Sequence, residues 1–238
     1  MKKYSIWIVL LLISNQLSAQ REVKVHNRDR RKDIELITDS GRIVMRLSDS
    51  TPLHRDNFIK LVKQHYYDGI LFHRVINKFM IQAGDPKSKL AKKGEELGNG
   101  GLPYTLPAEI VSSLFHRKGV LAAARMGDNV NPNRESSASQ FYIVQGKTFT
   151  PTSLDSVETF RLKGYKIPQA NREIYQTIGG APHLDRSYTI FGEVIQGLDV
   201  VDKIAATKTS GKESGDRPLE DIHIVRMRLI RRNLSYEL

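Results

Sequence analysis

The chain has 238 residues, 39% of them hydrophobic and 26% charged, with a formal net charge of +11 and no cysteine. This is the composition of a folded domain with a real core, not of a disordered chain. The missing thiol excludes disulfides, thiolate metal sites and cysteine nucleophiles. The lysines and arginines are scattered rather than run together, so the charge reads as solubility and not as a nucleic-acid footprint.

The start, "MKKYSIWIVLLLISNQLSAQ", has the pattern of an export signal. Lys2 and Lys3 are basic, and Ile6 to Ile13 form an apolar stretch well short of the ~20 residues a membrane span needs. Ser18 and Ala19 offer small residues for cleavage. Residues 1–19 are therefore expected to be a signal peptide. The mature chain is expected in the periplasm, or alternatively outside the cell, without stable membrane insertion. Residues 20–33 read as a polar linker, 34–232 as one domain and 233–238 as a tail.

"DIELITDSGRIVMRLSD" alternates apolar and polar residues on both sides of "DSG", which predicts a β-hairpin. The next stretch predicts a helix capped by Ser50 or Thr51, with Pro52 in its first turn. Phe58, Leu61, Val62 and Tyr66 recur at helical spacing, and Gly69 is the expected stop. Short strands follow over 71–76, 79–83, 119–124, 140–144 and 188–194. A second helix is expected over 198–205, with Val201, Ile204 and Ala205 on one face. "IHIVRMRLI" makes a last strand. Many short strands, two helices and frequent turn residues predict a mainly β fold, a closed antiparallel β-barrel.

One segment, 147–181, breaks this rhythm with roughly 35 residues where a hairpin loop needs only a few. Helical spacing, caps at Thr152 or Ser153 and the Gly179-Gly180 stop make it a helical insertion at the barrel rim. Ile167, Ile174, Tyr175 and Ile178 would give it an apolar side facing the barrel. "GEELGNGGLPY" lacks the ending of a phosphate loop, so Asn99-Gly100-Gly101 reads as a flexible loop. The histidines show no paired metal spacing, and no cofactor or metal is expected.

Three segments in order, "FHRVINKFMIQAGD" (72–85), "GVLAAARMGDNVNPNRESSASQFYIVQG" (119–146) and "HLDRSYTIFGEVIQGLDVVDKI" (183–204), resemble the cyclophilin family of peptidyl-prolyl cis-trans isomerases. The resemblance runs from about residue 34 to about residue 230. It implies an eight-stranded barrel closed by two helices. It also implies a monomer that acts on proline-containing segments of unfolded or flexible proteins and assists the folding of exported proteins. The alternative is a cyclophilin-like chaperone or binding module with little turnover.

The resemblance also implies individual roles. Arg74 matches the catalytic arginine. Phe79, Met80, Tyr142 and Leu184 match the walls of the proline pocket, Gln82 and Gln140 the groups that hold the substrate backbone, and Ala124 a small residue at the groove. Three pocket positions depart from the family. Arg125 stands for an asparagine, His183 for the tryptophan associated with cyclosporin binding, and Tyr188 for a histidine. His73, on the opposite face from Arg74, is expected to be structural and to make a side-chain hydrogen bond.

The implied chemistry needs no nucleophile. Amide resonance sets a barrier of ~18–20 kcal/mol to rotation. In the twisted state the proline nitrogen gains lone-pair character, and a guanidinium aimed at it stabilises that state above the planar ones.

Overall fold

The computed structural model describes residues 23–233. The expected signal segment and most of the tail lie outside them. In chain order the elements are α1 (Asn27–Arg30), β1 (Lys32–Thr38), β2 (Gly41–Leu47), α2 (Pro52–Lys63), β3 (Phe72–Ile76), β4 (Met80–Ala83) and β5 (Thr105–Leu106). There follow β6 (Val120–Ala123), β7 (Ser136–Ser137), β8 (Phe141–Val144), α3 (Pro151–Phe160), α4 (Gln169–Thr177), β9 (Ile190–Gln196), α5 (Leu198–Ala205) and β10 (Ile224–Arg231).

Eight strands form one antiparallel sheet in the order β10-β1-β2-β9-β6-β8-β4-β3, and β5 pairs with β7 apart from it. The sheet curls into a half-barrel, and the expected closure does not occur. Among the described residues, the ends of β3 and β10 meet at one bridge, Leu71 to His223. Beyond it, the Val75 N–H donates to the Asp216 carbonyl, so a loop rather than a strand covers this edge of β3. The loop satisfies the edge donors without completing the ladder.

Alternation divides the sheet into two faces. Ile81, Ala83, Leu121, Ala123, Phe141 and Ile143 point inward to the main core. The α2 side chains Phe58, Leu61 and Val62 plug one side of this core, and Val201, Ile204 and Ala205 of α5 join it from another. Phe58 packs on Tyr67, Phe141 and Phe191 with ring centroids 5.0, 5.4 and 5.2 Å apart. Full burial of such a side chain contributes on the order of 1.5–3 kcal/mol. The intervening residues Met80, Ala122, Tyr142 and Val144 turn outward and form a second apolar cluster.

Local details differ from the sequence expectation. Thr51 begins α2, but its hydroxyl makes no capping bond. The Glu109 carboxylate instead accepts from the backbone N–H groups of Leu53 and His54, at 3.1 and 2.9 Å. A distant carboxylate thus serves the positive end of the helix. The helix stops at Lys63, ahead of Gly69, and Tyr66 and Tyr67 lie in a turn. The polar stretch before β1 contains α1, held to α2 by Arg30–Asp56 and Lys63–Asp29 ion pairs.

The insertion is helical, as α3 and α4. Its first cap is Thr150, whose hydroxyl accepts from the Ser153 N–H, rather than Thr152 or Ser153. Pro151 suits the first helical position and so fixes the start two to three residues earlier. Leu154, Ile167 and Tyr175 make a small core of their own with Phe115, Phe149 and Leu162. Ile178, expected on that apolar side, is 53% exposed. Lys147 and Gly180 exchange backbone hydrogen bonds, so the two ends of the insertion meet.

Candidate active site

The outward face of β4, β6 and β8 and the turn before β9 enclose a pocket of about 130 Å³. Nine of the eleven expected site residues line it: Arg74, Phe79, Met80, Gln82, Ala124, Arg125, Tyr142, Leu184 and Tyr188. Gln140 lies next door, in a groove of about 650 Å³ that shares Gln82, Ala124 and Arg125 with the pocket. His183 stands behind the pocket, its ring 5.2 Å from that of Phe79.

Strand register brings the polar groups together. Arg74 is paired with Gln82 across β3 and β4, and Gln82 with Tyr142 across β4 and β8. The ladder skips His73, which forms a bulge between Phe72 and Arg74. A bulge re-aims the next side chain, and here it turns Arg74 toward the groove. His73 goes inside, 3% exposed, and among the described residues neither ring nitrogen has a hydrogen-bond partner. The expected side-chain hydrogen bond is therefore absent. Burial pushes the His73 pKa down to about 4.

A directed chain of amides runs from the arginine. Arg74 Nη1 makes a long contact of 3.5 Å to Gln82 Oε1. Gln82 Nε2 donates to Gln140 Oε1 at 3.0 Å, and Gln140 Nε2 donates to the carbonyls of Gly98 and Gly100 at 2.8 and 2.6 Å. The Asp216 carboxylate sits 3.8 Å from Arg74 Nε. A guanidinium has five donors, and this one makes a single long hydrogen bond within the described residues. Its side chain is 42% exposed, so donors remain for a ligand in the pocket.

The glycine loop expected to be flexible is pinned. Asp85 Oδ2 accepts from the N–H groups of Gly98 and Gly100 at 2.7 and 3.0 Å. A Cβ at Gly100 would stand 1.9 Å from Asp85 Oδ1, so only glycine allows this approach. Sequence reasoning sought a phosphate loop there and missed that Asp85, within "QAGD", supplies the anchor.

Two of the departures from the family pattern support each other. The Arg125 guanidinium lies 4.5 Å from the Tyr188 ring centroid. It also donates to the Ser187 carbonyl at 2.8 Å and pairs with Asp128 at 2.7 Å. Arg125 is thereby part of the pocket rim. The third departure, His183, is held neutral, with its pKa lowered to about 4 by burial and by the nearby Arg161 charge. A neutral imidazole suits its packing on Phe79.

Behind the pocket, sequence reasoning missed His116 and Asp185. The fully buried His116 places Nε2 3.0 Å from the Tyr142 hydroxyl and Nδ1 3.0 Å from Asp185 Oδ1. A separate groove of about 340 Å³ carries Arg46, Arg117 and Glu193 but none of the expected site residues.

An apolar pocket bordered by one arginine and a line of amides has room for a ring beside groups that can hydrogen-bond a peptide backbone. The model of the cyclophilin type peptidyl-prolyl cis-trans isomerase family matches residues 33–229, and the chain belongs to that family. Its activity is that of a peptidyl-prolyl isomerase. A Staphylococcus haemolyticus protein named "Putative peptidyl-prolyl cis-trans isomerase" is 34% identical over 198 residues, covering 83% of this chain and 90% of that protein. A Staphylococcus aureus protein of the same name is 36% identical over 188 residues, covering 79% and 86%. Among solved structures, a cyclophilin type isomerase of Cryptosporidium parvum superposes with a TM-score of 0.60 at 24% identity, covering 85% of this chain and 99% of that one. A second structure of that protein, determined in the presence of the dipeptide Ala-Pro, gives 0.58 at 22% identity. At those identities the likeness is one of fold.

Proposed function

We propose that the chain isomerises X–Pro bonds in exported proteins and does so through Arg74. The proline ring enters the pocket of Phe79, Met80, Tyr142 and Leu184. Gln82 and Gln140 hold the peptide backbone. The free donors of Arg74 meet the proline nitrogen as it becomes pyramidal, where the charge is worth more in the twisted state than in either planar one. Arginine fits this role because it stays charged and presents rigid donors. A barrier lowered by ~7 kcal/mol would speed the rotation about 10⁵-fold.

The observation that carries this reading is the placement of Arg74 and Gln82 opposite each other on the outward face, beside an apolar pocket. The basic and apolar start of the sequence supports export, with the monomeric mature protein acting on flexible proline segments in the periplasm. Isomerisation of a short proline peptide, followed for wild type and Arg74→Ala, tests the mechanism. The variant is expected to lose ~10²–10³ in kcat/KM. Turnover near the wild-type value in a folded variant would sink the arginine mechanism. A wild type that binds peptide without turnover would favour the chaperone reading.

A further inference from the structure

Four buried side chains connect the insertion to the pocket wall. Tyr175 of α4, Asp185, His116 and Tyr142 are 0%, 5%, 0% and 4% exposed. The Tyr175 hydroxyl donates to Asp185 Oδ2 at 2.7 Å. Asp185 Oδ1 accepts from the His116 backbone N–H at 2.8 Å and lies 3.0 Å from His116 Nδ1. His116 Nε2 lies 3.0 Å from the Tyr142 hydroxyl.

An ionised carboxylate only accepts hydrogen bonds, which sets the direction of the whole chain. The His116 Nδ1–H donates a hydrogen bond to Asp185 Oδ1. In the neutral ring Nε2 then accepts, and the Tyr142 hydroxyl donates to it. Burial raises the Tyr142 pKa well above that of a free phenol, so the donor proton stays in place. The His116 and Tyr142 rings stack nearly parallel, 11° apart, with centroids separated by 6.2 Å.

The backbone is shaped to allow this. Gly180 at the insertion's exit lies so close to the barrel that a Cβ would stand 2.2 Å from the His116 carbonyl and 2.7 Å from the Tyr175 ring. The next residue, Ala181, donates its N–H to that same carbonyl at 2.8 Å. The insertion is thus seated against His116 itself.

We propose that Tyr175 is a positioning residue for the prolyl pocket, acting through Asp185 and His116 to fix the Tyr142 hydroxyl and hence the ring that walls the pocket. The insertion then supplies no group that touches substrate, yet sets the shape of the site. This rests on the reading of the pocket given above.

The test is a double-mutant cycle on kcat/KM for a short proline peptide, using Tyr175→Phe, Tyr142→Phe and the pair. Each substitution removes one hydroxyl and keeps the ring. Tyr175→Phe is expected to lower kcat/KM about 3- to 10-fold in the wild-type background, the scale of one buried hydrogen bond. In the Tyr142→Phe background, where the wall no longer needs the chain, the loss should shrink below about two-fold. An equal loss in both backgrounds would show a general structural effect and overturn the proposal, as would no loss in either. Nitrogen-15 NMR of wild-type His116 gives a check that needs no variant to fold: a proton on Nδ1 and none on Nε2 is required, and any proton on Nε2 overturns the chain. Arg74→Ala reports on the pocket reading, and coupling between positions 175 and 142 reports on the relay, so the two fail separately.

Discussion

His73 makes acid stability a measurable consequence of this structure. Its ring is buried with neither nitrogen partnered among the described residues, and its pKa falls from 6.5 to about 4. Between those values the unfolded chain takes up a proton at this position and the folded chain does not. Stability contributed by the neutral ring is therefore present above about pH 6.5 and is lost as pH falls toward 4. At pH 4.5 the loss amounts to about 2.5 kcal/mol, with each pKa unit worth ~1.4 kcal/mol. His73→Leu removes the titration while keeping an apolar body of similar size. Because the imidazole makes no hydrogen bond, the substitution should be nearly neutral at pH 7. At pH 4.5 the variant should exceed wild type by about 2.5 kcal/mol, on the order of 5–10 °C in Tm for a domain of this size. Calorimetry on both proteins across pH 7 to 4.5 provides the measurement. Parallel Tm curves over that range would refute the argument, because carboxylates and other histidines titrate equally in both proteins.

Arg125→Ala removes both the stack on Tyr188 and the Asp128 pair. The stack alone is worth ~0.5–2 kcal/mol, so kcat/KM on a short proline peptide should fall several-fold while Arg125→Lys, which keeps charge but not the planar fork, recovers only part. Cyclosporin is expected to inhibit weakly, since His183 replaces an indole with a smaller ring that is already engaged with Phe79. His183→Trp should tighten inhibition, and a wild type that binds as tightly as this variant would show that the position does not govern it.

The strands were readable where alternation was strong. "MIQA" and "FYIV" place their inward and outward residues as the period-2 rule requires, and the outward Met80, Gln82 and Tyr142 line the pocket. Arg74 and His73 were less transparent, because a one-residue bulge decides which of them faces the groove, and bulges leave no composition signal. The open seam was not readable either. Strand count favours closure, and only the three-dimensional path of the loop bearing Asp216 shows that the β3 edge is covered by other means. Likewise the Glu109 cap on α2 and the Asp85 anchor of the glycine loop are partners brought in from a distance. The Tyr175–Asp185–His116–Tyr142 chain is the extreme case. It joins four separate stretches of sequence, and each residue viewed alone reads as ordinary packing.

The separation of the sheet into an inward core face and an outward pocket face has a consequence for how such a protein can change over generations. Leu121, Phe141 and Ile143 hold the strands in place from within, whatever stands on the other side. Arg125, His183 and Tyr188 stand on the opposite face, outside that core. Substrate and inhibitor preferences can therefore drift by single substitutions while the scaffold persists. The exception is Tyr142, whose hydroxyl reaches back into buried polar groups, so that position can change freely only together with its partners.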